Sequence, residues 1–150
     1  MNKARTAPAG LAPWHLWFVG LLMLVWNVMS CFSQVMTLTR NASYFRATGV
    51  TPEIAAYFAA LPTWNVVAWT IGVWGGVLAA VGLLMRKAWA VLWFAASQLA
   101  MAIYSVATLL SSDADAALCK VGSIMTIAVI MLGAFAVLYS IAMKRRGVLS

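Results

Sequence analysis

Long apolar runs separated by short polar breaks fill the chain. Four of these runs, at about 14 to 38, 63 to 85, 88 to 111 and 121 to 143, reach the roughly 20 residues that a membrane-crossing helix requires. Inside them the few polar and small residues recur at helical spacing. On the first run Gly20, Met23, Asn27, Ser30, Cys31 and Gln34 fall within roughly 100 degrees of one another at about 3.6 residues per turn. On the third, Ser97, Gln98, Met101, Tyr104, Ser105 and Thr108 form a similar stripe; on the fourth, Cys119, Gly122, Ser123, Thr126, Gly133 and Ser140 form a weaker one. Polar side chains are costly against lipid, so these stripes are expected to face inward or toward a partner.

The second run, TWNVVAWTIGVWGGVLAAVGLL, combines three tryptophans with four glycines and holds no charge. Wound into a helix it divides into two surfaces. Ala68, Gly72, Gly76 and Ala80 recur every fourth residue, with Gly75 and Ala79 beside them and Asn65 on the same side. Such a face lets two backbones approach closely and gain dispersion contacts that lipid does not match. Val67, Ile71, Val73, Trp74, Val77, Leu78 and Val81 take the opposite side, where lipid is expected. Trp14, Trp17, Trp64 and Trp89 stand near span ends, at headgroup level. Trp26, Trp69, Trp74 and Trp93 lie deeper, either as lipid-facing bulk or, for Trp26 and Trp69, as walls of a pocket that stacks a ligand.

Residues 41 to 62 are too polar to span. Thr51 suits a helix cap, Pro52 the first position and Glu53 the positive end of the dipole, while Ile54, Tyr57, Phe58 and Leu61 share one face. The expectation is a short interfacial helix over about 52 to 61, ended by Pro62 and acting either as an anchor or as a lid. Asn41-Ala42-Ser43 matches a glycosylation acceptor pattern, to which little weight is given.

Composition narrows the class. Of 150 residues, 65% are hydrophobic and 9% charged, too few polar groups to coat a water-soluble globule. Lys3, Arg5, Arg86, Lys87, Lys144, Arg145 and Arg146 fall on one side of the spans; Arg40, Arg46 and Lys120 fall on the other. Cytoplasmic loops are enriched in Lys and Arg, so both termini are expected in the cytoplasm. The net charge of +7 reflects this bias and some affinity for anionic lipid, while the short basic runs argue against nucleic acid as a partner. The basic start and Val28-Met29-Ser30-Cys31 loosely resemble processing signals. The apolar run is long for a leader, and Met29 is awkward beside a cleavage site, so the first run is taken as a permanent span.

Candidate chemistry is sparse. No span holds Asp, Glu, Lys or Arg in its interior, which argues against ion coupling and proton relays. His15 lacks neighbouring ligands for metal or haem, and no nucleotide loop, zinc spacing or serine nucleophile motif is present. No cofactor and no catalytic residue is therefore assigned. Cys31 and Cys119 are not in a redox pair, although a bridge between them is open. Asp113 and Asp115 flank a tight loop that is expected to be a solvated turn.

Trp14-His15-Leu16-Trp17, Trp26-Asn27, Tyr57-Phe58, Pro62-x-Trp64, Gly72-Val73-Trp74-Gly75-Gly76 and Arg145-Arg146-Gly147-Val148-Leu149 occur in this order over nearly the whole chain. In this the sequence resembles a group of small four-span inner-membrane proteins of Gram-negative bacteria, often labelled sugar transporters. The resemblance implies a compartment and a fold and brings no site residues with it. The expectation is one all-α domain over residues 1 to 150: an integral membrane four-helix bundle in the bacterial inner membrane. Its helix-packing face is Ala68, Gly72, Gly75, Gly76, Ala79 and Ala80; its candidate polar interior is Asn27, Ser30, Gln34, Asn65, Trp69, Gln98 and Tyr104. Such a chain serves either as a non-enzymatic accessory protein, partnered by lipids and by other subunits or itself, or as an oligomeric, uncoupled carrier or channel for a small neutral, sugar-like solute.

Overall fold

The structure is a computed structural model describing residues 12 to 110 and 116 to 150, with backbone alone for Leu109 and residues 116 to 123. It is all-α among the described residues. Four long helices, α1 (Trp14–Leu38), α4 (Thr63–Leu84), α5 (Trp89–Leu110) and α6 (Ala116–Arg145), carry the apolar runs, and two short ones, α2 (Ala42–Thr48) and α3 (Pro52–Ala59), fill the first connection. All four long helices are long and apolar enough to cross a membrane. Their outer surfaces carry Leu22, Leu92, Leu99, Ile127, Met131 and Leu138, all exposed. A continuous apolar exterior of this kind belongs in lipid rather than water.

Both ends of the described chain lie at one end of the bundle. There Leu16, Val19 and Met23 of α1 meet Ala79, Ala80 and Leu83 of α4, Ala90 and Phe94 of α5, and Ala136 and Met143 of α6. Val148 and Leu149 join the same core. Gly147, at φ 69°, turns the chain back after α6, and the tail is then held by main-chain bonds. Ala88 N–H donates to the Ser150 carbonyl at 3.0 Å and Ser150 N–H to the Arg86 carbonyl at 2.8 Å. Arg86 itself stands at φ 59°, a conformation costly for a residue with a Cβ. Its guanidinium Nε donates to the Val148 carbonyl at 3.1 Å, so the tail fixes the turn that joins α4 to α5.

Helix α4 is the centre of the packing. Its most extensive seam is with α5, the next with α1, and α5 in turn carries α6. Among the described residues no comparable seam joins α1 to α6. The small face of α4 is divided between two neighbours. A Cβ built on Gly72 would run into Met101 of α5, one on Gly76 into the Asn27 amide of α1, and one on Gly75 would only touch Ser97 and Trp93. Because α4 is covered from both sides, its buried sector is wider than one stripe. Val73, placed on the lipid side by periodicity, is therefore buried, while Ala68 is half-buried.

The first connection differs from a single helix. Asn41 caps α2 by accepting the Tyr44 N–H at 2.9 Å, and Gly49, left-handed at φ 69°, ends it. Thr51 then caps α3, with Pro52 at its first turn and Ala60 closing it short of residue 61. A separate hydrogen bond from the Thr51 side chain, with the Glu53 backbone N–H, holds the Glu53 carboxyl below the usual carboxylate range. Asp113 and Asp115 lie outside the described residues, as do the side chains of Cys119, Lys120 and Ser123, while Cys31 carries a buried free thiol.

Candidate functional site: a cavity inside the bundle

Where α1 and α6 diverge, the interior is hollow. A cavity of about 570 Å³ lies between α1, α4, α5 and α6, with α3 contributing Tyr57 and Phe58 to its wall. Drug-sized ligands occupy pockets of roughly 300 to 1,000 Å³. Its floor is Met23, Phe94 and Ala136 of the core described above. No charged residue lines it among the described residues.

The polar stripe of α5 builds one wall, since Ser97, Gln98, Met101, Tyr104, Ser105 and Thr108 all line the cavity. From α1 come Met23, Trp26, Asn27, Ser30 and Ser33, and from α6 Thr126, Leu132 and Gly133. The two amides sit against glycines on facing helices. A Cβ on Gly76 would overlap Asn27 Oδ1, and one on Gly133 would overlap Gln98 Oε1. Each amide nitrogen is anchored to a main-chain carbonyl, Asn27 Nδ2 to Met23 at 2.7 Å and Gln98 Nε2 to Ile130 at 3.2 Å. The Ser97 hydroxyl donates across the α4–α5 seam to the Gly72 carbonyl.

Three rings line up toward the α3 end. Phe58 stacks on Trp69 at a centroid distance of 6.0 Å and an interplanar angle of 23°, and Trp69 on Tyr104 at 5.3 Å and 22°. These are offset-stacked distances. The hydroxyl of Tyr57 is buried beside them without a hydrogen-bond partner. From sequence the Tyr57 and Phe58 face belongs to an anchor or a lid; their meeting with Trp69 in particular depends on how α3 folds back and carries no local signal.

Asn27, Ser30, Trp69, Gln98 and Tyr104 thus share one cavity. Gln34 and Asn65 stand elsewhere. Gln34, 1% exposed, bridges α1 to α4: its Nε2 donates to Thr70 Oγ1 at 2.9 Å and its Oε1 accepts from Trp74 Nε1 at 3.1 Å. Trp74 is half-exposed, so its ring meets the surroundings while its N–H faces inward. Asn65 is buried in the first turn of α4, with Oδ1 unpartnered. At the opposite end His15 Nδ1 and the Tyr139 hydroxyl share a hydrogen bond of 2.6 Å, tying α1 to α6 below the floor.

These features define a class: a polytopic all-α membrane protein with an uncharged internal cavity. Comparison with family models, curated proteins and solved structures finds no match.

Proposed function

We propose that the chain binds a small uncharged molecule in this cavity and acts as an uncoupled carrier for it in the bacterial inner membrane, with both termini cytoplasmic. The observation that carries the proposal is the lining itself: stacked rings and neutral amides around about 570 Å³, with no acidic or basic side chain among the described residues to couple a proton or ion to movement. A neutral molecule loses little solvation on entering such a site, whereas an ion would lose much without a counter-charge. The seven cations grouped at the terminal side support the orientation. α3 follows as an outer element whose Phe58 and Tyr57 bound the site.

An accessory role has less support, because the small face of α4 and the Gln34 amide are engaged within the bundle. Its remaining footing is the side where, among the described residues, α1 and α6 share no seam comparable to those of α4. Gentle extraction in that case yields a defined assembly with other proteins; migration alone or as a self-oligomer counts against it. The binding proposal is tested by equilibrium dialysis of nanodisc-embedded protein against matched uncharged, anionic and cationic compounds. Uncharged compounds should bind saturably, and Val129→Phe, which places a larger side chain in the lining, should weaken that binding. Preference for the charged members, or unchanged binding in Val129→Phe, overturns it.

A further inference from the structure

Among the described residues the cavity is bounded toward both ends of the bundle and opens on one flank. At the terminal end the core residues Met23, Phe94 and Ala136 form its floor, and at the α3 end stand Tyr57 and the stack of Phe58, Trp69 and Tyr104. The flank lies between α1 and α6, which share no seam comparable to those of α4. Met29 of α1 and Met125 of α6 are 67% and 57% exposed, yet both line the cavity, as does the partly exposed Trp26. Side chains that reach the exterior and the cavity together mark a mouth.

The mouth lies at the depth of hydrocarbon. Met29 stands nine residues before the end of α1 at Leu38, and Met125 nine after the start of α6 at Ala116. Each is then about 14 Å inside its helix end at roughly 1.5 Å per residue. The headgroup layer takes up about 5 to 8 Å on each side of a bilayer, so the opening meets acyl chains. Val25, one turn from Met29, and Ile124, next to Met125, are exposed and apolar as well. A polyol from water would shed its hydration in hydrocarbon before reaching this opening, whereas a lipophile dissolved there has none to shed. The flexible thioethers at the rim adapt to chains of different shape.

Hydrogen bonding inside does not choose the occupant. Asn27 and Gln98 each give one N–H to a main-chain carbonyl and carry a second, Ser30 and Ser97 turn their donors to carbonyls, and the Tyr57 hydroxyl has no partner. Both polarities are on offer, so selection falls to charge and to the route of entry. Resting on the binding site proposed above, we infer that its substrate is an uncharged lipophile drawn from the bilayer, which enters sideways between α1 and α6 past Trp26, Met29 and Met125.

The test is carbene labelling of the full chain in nanodiscs, with labelled residues mapped by mass spectrometry. One probe is a diazirine-bearing hexadecanol, which resides in the bilayer; the other is a diazirine-bearing glucoside, which resides in water. Ser97 and Ser105 line the cavity and are buried from outside, while Leu99 and Leu138 face outward. The expected result is that the hexadecanol probe labels Ser97 and Ser105 saturably, in competition with plain hexadecanol, and labels Leu99 and Leu138 in simple proportion to its concentration. The glucoside leaves the two serines unlabelled. Met29→Trp with Met125→Trp narrows the mouth and should slow labelling of the serines several-fold, with Leu99 and Leu138 unchanged as a control on the fold. Lipophile labelling confined to the outward residues, or labelling of the serines at an unchanged rate in the double variant, overturns the lateral route. Saturable labelling of the serines by the glucoside alone overturns this inference and leaves the binding site standing; no saturable labelling by either probe removes both.

Discussion

Gln34→Leu separates a structural amide from a binding one. The unmodified side chain makes two inter-helix hydrogen bonds, to Thr70 and from Trp74. Inter-helix bonds of this kind average about 0.6 kcal/mol and reach about 1.7 in membranes, so losing both costs about 1 to 2 kcal/mol. Thr70 does not add to the cost, since its hydroxyl still donates to the Val66 carbonyl at 2.8 Å. Trp74 does add, because its N–H is left against hydrocarbon. The total, about 1.5 kcal/mol, is a shift of more than tenfold in the folding equilibrium. It is measured by reversible denaturation in micelles, with Trp74→Phe and the double variant completing a cycle. Because Gln34 does not line the cavity, Gln34→Leu should bind ligand as the unmodified chain does once folded. A destabilisation below about 0.3 kcal/mol, or no coupling in the cycle, refutes the bridge; a specific loss of binding in folded protein refutes the placement of Gln34 outside the site.

The α4 glycines should respond unequally. Gly75→Ala meets only ordinary contacts and should stabilise the helix by up to about 1 kcal/mol, whereas Gly76→Ala displaces the Asn27 amide and should cost about 1 to 3 kcal/mol along with ligand affinity; denaturation midpoints of the two variants decide it. Tyr139→Phe removes the bond to His15 and should increase cross-linking access to engineered cysteines between α1 and α6 at the terminal end, with little change in denaturation midpoint. Glu53 titrates below the ordinary carboxylate range because Thr51 bonds it in the charged state, so Thr51→Val should move its midpoint upward in a carboxylate-selective NMR titration. Any stability that this bond lends is present above the ordinary carboxylate pKa and fades as pH falls through the lower, folded value.

The four long helices were legible because apolar length is a strong signal, and the inward stripe of α5 because its polar residues obey one period. Helix α2 was not, since seven residues capped by Asn41 and closed by Gly49 look like any polar connection. Gln34 and Ser30 share a stripe on α1 yet do different work. The difference is height along the helix: Gln34 stands level with Thr70 and Trp74 in the tight α1–α4 seam, Ser30 one turn away beside the hollow. Periodicity gives the azimuth of a side chain and not the distance to what faces it. The fate of Val73 follows from the same limit, because burial on α4 depends on how many neighbours the helix has.

The hollow has a cause in the chain. Close packing on α4 is secured by its glycines, and the terminal end by Leu16, Leu83, Ala90 and Met143 with the returning tail. Among the described residues, α6 lines the hollow with Met125, Val129 and Leu132 as well as with the smaller Thr126, Gly133 and Ala136. The larger side chains on both walls, Met29, Met125 and Val129 among them, hold the two helices apart without filling the space between them. Small residues in their place would let the helices close. Replacing Met29 and Val129 together with Ala should therefore draw α1 and α6 together, shortening the distance between spin labels on their exposed faces. An unchanged or longer distance would mean that the hollow is set by the helix ends rather than by these side chains.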